Sequence, residues 1–273
     1  MQLFKVNLVA LILGAIAGYL IAGPVLAVIL AASAVAGVMV WYNFATGFVL
    51  TKLKAVRLTE ASAGNPIYRT FLGDAYKLVE KAGLPRTKFA VIDAPLPLAF
   101  SLGSAGSGGW IVVTTGLFKT LTRLEMASVT AHELGHIKAG ERTTAAMHLG
   151  FSLMLSSTGL RPVFHILTLG LFRAADHKFR RISQGMLRPD CRADAFAAEL
   201  CKDSAILASA LHKLERGVRA ASWDALEGSP LLARLAIVNP RQAVYSFDNP
   251  ERSPLGHRVA ELKRLTLTDA KAA

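Results

Sequence analysis

The sequence predicts a mostly α-helical protein with a small β-sheet, preceded by an N-terminal transmembrane helical hairpin. Three observations predict it. Residues 6–51 contain no charged side chain and are divided once, at Gly23-Pro24. Two short β-rich runs, 88–93 and Trp110 to Thr114, lie among helical periodicities. Between them and the carboxyl end stands His132-Glu133-Leu134-Gly135-His136, which complies with the pattern H-E-x-x-H.

Each half of the uncharged run is near the roughly 20 residues that cross a bilayer. The expected hairpin covers about 6–22 and 25–46, with Gly23-Pro24 at its turn and Trp41 and Tyr42 suited to an interfacial belt. A second apolar segment directly behind the first argues against a cleaved signal peptide. Lys5 precedes the first span and Lys52, Lys54 and Arg57 follow the second, whereas the Gly-Pro turn has no charge. The positive-inside rule then puts both ends in the cytoplasm of a multi-pass inner-membrane protein. The division is 1–51 for the hairpin and 52–273 for a catalytic domain.

Pro66 to Ala82 reads as an amphipathic helix stopped by Gly83-Leu84-Pro85. Residues 101–109 are small and glycine-rich, which predicts a turn. Thr122-Arg123-Leu124-Glu125 is a capping box that starts the motif helix, Gly140 is its stop, and Leu124, Val129 and Leu134 form an expected apolar stripe. The apolar region 145–173 is interrupted at Arg161-Pro162 into pieces short for independent spans, which suggests a hairpin in or on the membrane. His148 and His165 within it read as packing groups. One long helix from Pro189 to about 216 and another over 254–265 complete the chain.

Two imidazoles four residues apart share one helix face and can hold one metal ion. A metal there lowers the pKa of a bound water toward about 7, and the carboxylate of Glu133 can take its proton. His132 and His136 are thus candidate ligands of one Zn2+ per chain, with Glu133 as general base in an α+β, zincin-type catalytic domain. A third protein ligand is needed. Asp190 and Asp194 lie one helical turn apart, so spacing alone lets either face the metal.

Asp190-Cys191-Arg192-Ala193-Asp194 resembles the E-x-x-A-D segment of the HtpX-like membrane zinc metallopeptidases, relatives of the CAAX prenyl endopeptidases. Ala99-Phe100 resembles their N-A-F element, and Val113-Thr114-Thr115-Gly116-Leu117 resembles the V-T-T-G-L before the zinc helix. The resemblance implies Asp190 as third ligand, Asp194 as a supporting group behind a ligand imidazole, and a role in quality control of unfolded or membrane proteins. Three departures stand out: Asp190 replaces a Glu, Leu98 an Asn, and Arg252-Ser253 a His-Pro. Trp110, Ile111, Val112, Val113 and Thr114 form the expected substrate strand, if that strand lies at a sheet edge.

The net charge of +12 includes Arg173, Lys178, Arg180, Arg181, Arg188 and Arg192, a cluster suited to anionic head groups of a lipid bilayer. No nucleic-acid-binding module or aromatic interleaving is present, so nucleic acid is not an expected partner. Cys191 and Cys201 read as free thiols. The competing functional readings are a non-catalytic membrane scaffold or adaptor, motivated by Asp190 and the missing His-Pro, and a narrow processing peptidase.

Overall fold

The computed structural model describes residues 2–59, 64–104, 106, 108–159, 187–220, 230–239 and 254–272. Helices α1 (Gln2–Ala22) and α2 (Pro24–Lys52) form the hairpin, and both are long and apolar enough to cross a membrane. They lie in close contact because Gly14 and Gly18 carry no side chain. A Cβ on Gly14 would sit 2.7 Å from Leu30 O, and one on Gly18 would strike the backbone of Ala27.

The domain that follows is built from β1 (Val56–Leu58), α3 (Pro66–Ala82), β2 (Lys88–Ile92), β3 (Ala99–Leu102), β4 (Trp110–Thr114), α4 (Thr115–Thr120) and α5 (Arg123–Ala139). After these come α6 (Ala145–Ser157), α7 (Leu187–Cys201), α8 (Ser204–Ala220), α9 (Pro230–Leu235) and α10 (Pro254–Ala272). The sheet order is β1-β2-β4-β3, with β2 and β4 parallel and the outer pairings antiparallel. Ring contacts of Phe71 and Tyr76 with Phe89 seat α3 against the sheet. α5 packs on β3, with α7 and α8 against it in turn.

This order corrects the expected substrate strand. Trp110, Ile111, Val112, Val113 and Thr114 are paired along their full length with β2 on one side, and Trp110 to Val113 are paired with β3 on the other. β4 is therefore interior, and the edge strands are β3 beside it and β1 at the far side. Ser101 and Leu102, expected in a turn, belong to β3. The capping box and the stop of α5 are as expected: Thr122 accepts from Glu125 N, Glu125 accepts from Thr122 N, and Gly140 closes the helix at φ 67°. Leu124 departs from the expected stripe, being 64% exposed in the first turn of α5, whereas Val129 and Leu134 are buried.

The long helix expected from Pro189 is instead two helices. Lys202 adopts φ 57°, and Asp203 then caps α8 by accepting from Ala205 N at 2.9 Å. α10 runs past the expected end at 265 to Ala272. Of the apolar insert, α6 is described and packs on α2, where Trp41 Nε1 donates to Met147 O at 3.2 Å. Residues 160–173 of the insert, with His165 and Arg173, lie outside the described residues, as do Lys178, Arg180 and Arg181 after it.

Glu125 joins the start of α5 to α8. Beyond its capping role it accepts from Ser209 Oγ at 2.7 Å and Lys213 Nζ at 2.8 Å. Burial pushes its carboxyl up, but Lys213, Thr122 and Ser209 outweigh this and hold it at about 2, below the ordinary 4.5. Because the folded value is depressed, this stabilisation is fully present above pH 4.5 and is lost as pH falls toward 2. Lys213→Met should cost about 1–3 kcal/mol at pH 7. In unfolding of detergent-purified protein, the deficit should shrink between pH 4.5 and pH 2. An equal deficit at both ends of that window would contradict the assignment.

Candidate metal centre

α5 brings His132 and His136 to one face, as the four-residue spacing requires, and both rings are buried. α7 crosses α5 at Gly135, where a Cβ would meet Ala193 Cα at 3.1 Å and the Phe196 ring at 3.2 Å. The small residue inside the motif thus lets the backbone of α7 come against α5. From this close position Asp190, one methylene shorter than a Glu, reaches the histidines. Its Oδ1 lies 3.4 Å from His136 Nε2, and the His132 and His136 Nε2 atoms are 3.2 Å apart. All three ligand atoms fall within 4.8 Å of one another.

The carboxylates around the pair set the tautomers. His132 Nδ1 lies 2.8 Å from Asp194 Oδ1, a close contact whose alignment falls short of a hydrogen bond. His136 Nδ1 lies 2.8 Å from Glu141 Oε2. Each Nδ1 faces an acceptor, so with a metal bound each ring would keep its proton on Nδ1 and turn the Nε2 lone pair to the ion. Asp190 adds a third. Two ligands bonded at roughly 2.0–2.1 Å to a tetrahedral ion are about 3.3 Å apart, close to the His132–His136 and His136–Asp190 separations, with the third pair within 4.8 Å. The donor set fits a metal ion.

Charge follows the same plan. Arg258, itself buried, forks onto Asp194 through Nε and Nη2, each at 2.7 Å. Its Nη1 donates to Ile237 O at 2.6 Å. Arg192 donates to Glu141 Oε1 at 2.6 Å, so it is engaged at the site although expected among the lipid-facing charges. Burial pushes the Asp190 carboxyl up, but His136 and Arg258 hold it at about 2. Burial likewise raises Asp194, and Arg258 overrides it to well below the usual range. Burial drives His132 down despite Asp194. In His136, burial and Arg142 push down, yet Asp190 and Glu141 hold the ring above its ordinary value. The carboxylates are thus ionised at neutral pH, the state a metal requires of its ligands.

Glu133 is fully buried between the histidines. Its Oε2 accepts from Ser101 Oγ at 2.6 Å, and its Oε1 has no hydrogen-bond partner among the described residues. Ser101 belongs to β3, whose outer edge is framed at two points. Ile237 N donates to Ala99 O, and Gly103 N donates to Arg142 O, both at 3.1 Å. Thr114 N donates inward to Leu98 O, so ladder alternation turns the main-chain groups of Ser101 outward, between those two points.

Residues 74–262 match peptidase family M48. The chain belongs to this family. A protease HtpX homolog of Acidiphilium cryptum (strain JF-5) is 31% identical over 268 residues, covering 92% of this chain and 91% of that protein. With its two apolar N-terminal helices the chain is a membrane-associated metallopeptidase, and His132, His136 and Asp190 form its possible metal site.

The structure also uses residues to which sequence reasoning assigned no site role: Ser101, Glu141 and Ile237, and Arg258 as the partner of Asp194. Glu141 left a readable trace, since an acid just past a helix C-cap opposes the macrodipole and needs another partner. Ser101 left none, because 32 residues separate it from Glu133. Cys191 and Cys201 are free thiols outside the ligand group. Arg258→Lys should lower metal affinity at least about tenfold, because an ammonium cannot fork onto both Asp194 oxygens. Competition with a chelator of known affinity checks this, and unchanged affinity would remove Arg258 from the support of His132.

Proposed function

We propose that this protein is a zinc endopeptidase, anchored by a multi-pass hairpin with both chain ends in the cytoplasm. Its substrates would be unfolded or membrane proteins in quality control. The observation that carries this reading is the juxtaposition of three convergent candidate ligand atoms with a buried carboxylate that has one oxygen without a partner among the described residues.

His132, His136 and Asp190 would hold one Zn2+, which supplies Lewis-acid polarisation of the scissile carbonyl and acidifies the attacking water. Glu133 Oε1 takes a proton from that water as its oxygen adds to the carbonyl carbon. The same oxygen then gives the proton to the leaving nitrogen as the C–N bond breaks. Asp194 and Glu141 hold the two imidazoles in the tautomers that leave Nε2 free.

An extended peptide would pair with β3 rather than with the interior β4. Main-chain pairing there is largely indifferent to side-chain sequence, which suits unfolded clients. The basic residues between 173 and 188 remain suited to anionic head groups, with Arg192 removed from that set by Glu141.

Metal analysis and casein cleavage by detergent-purified protein test the reading. Wild type should contain near-stoichiometric zinc and cleave. Glu133→Gln should keep the metal and lose about 10²-fold or more in rate, while Asp190→Ala should lose chiefly the metal. Zinc without cleavage of casein or of an unfolded membrane protein would favour the scaffold or the narrow processing peptidase. Absence of zinc from every preparation would overturn the assignment.

A further inference from the structure

We propose that Ser101 is a positioning residue that fixes the orientation of Glu133. The inference rests on the reading of Glu133 as the base and deepens it. Ser101 and Glu133 are both fully buried, and the 2.6 Å hydrogen bond from Ser101 Oγ occupies one carboxylate oxygen. A carboxylate on a two-carbon stem has free rotation about its last bond, and its two oxygens are equivalent until something distinguishes them. Ser101 distinguishes them. Oε2 is taken, and Oε1 has no partner among the described residues, so the group is presented with one defined acceptor.

The position of Ser101 in the sheet makes this bond rigid. Its side chain points to α5 from a strand whose four residues are all buried. Ile237 covers the outer edge of that strand at Ala99, and Arg142 covers it at Gly103, so β3 is held on both sides of Ser101. The hydroxyl thus acts through Glu133 rather than on the substrate itself.

The test uses the full-length, metal-loaded protein and acetohydroxamate, a metal-binding probe whose N–H and O–H groups need an acceptor beside the metal. Ser101→Ala should weaken acetohydroxamate about tenfold in the native background and have no effect in a Glu133→Gln background. Metal stoichiometry and thermal midpoint should stay near wild type. Ser101→Cys, similar in volume with a weaker donor, should fall between Ser and Ala, and carries the test if the alanine variant is unstable. With casein as substrate, Ser101→Ala should lower kcat about tenfold and leave KM within about twofold. Equal weakening in both backgrounds, or none in either, would overturn the proposal. A wild type that binds acetohydroxamate and shows the coupling but cleaves no protein would sink the peptidase reading and leave the role of Ser101 standing.

Discussion

Gly135 has no side chain, and the arrangement of the metal centre follows from that fact. Where most helix pairs are kept apart by interlocking side chains, the backbone of α7 here reaches Gly135 through Ala193. Three groups on α7 depend on this spacing: Asp190 toward the histidines, Asp194 toward His132, and Arg192 toward Glu141. A larger residue at 135 would push all three away together. From a backbone this close to α5, the short side chain of Asp190 brings its Oδ1 to 3.4 Å from His136 Nε2.

The buried charges are tolerable because they are arranged in alternation. Arg258 faces Asp194, Asp194 faces His132, and the histidines face each other and Asp190. On the other side Arg192 faces Glu141 and Glu141 faces His136. Asp194 and Glu141 are each matched by an arginine on the far side, which offsets the cost of taking them out of water. Without the two arginines, the acids would attract protons in place of holding imidazole N–H groups, and the histidines would have no fixed tautomer. Arg258 also binds Ile237 O, so the segment beside the sheet edge is attached to the same relay.

Much of this was legible in the chain because its signals are local. A capping box, two histidines at a helical spacing and a C-terminal glycine specify α5 within 20 residues, and the uncharged run with its Gly-Pro break specifies the hairpin. The place of β4 was not legible, since strand order depends on which segments meet after long excursions of chain. Nothing in Trp110 to Thr114 says that β3, earlier in sequence, will close over its outer side. The division of α7 from α8 hid for another reason: Lys202 takes a left-handed conformation that its side chain does not advertise. Asp203, an ordinary N-cap residue, was the only local mark of that break. Ser101 was invisible for the reason that governs most buried polar pairs, that its partner is supplied by another element entirely.

The metal helix α5 ends at Ala139, and α6 begins at Ala145 against α2. Six steps of extended chain cover about 20 Å at most. The reactive centre therefore has a fixed and short leash to the anchor helix, shorter than the thickness of a bilayer's hydrocarbon core at about 30 Å. Under the proposed peptidase reading, altitude would then count in selection: the peptide bonds within reach would be those presented at the height of this leash beside the anchor helices.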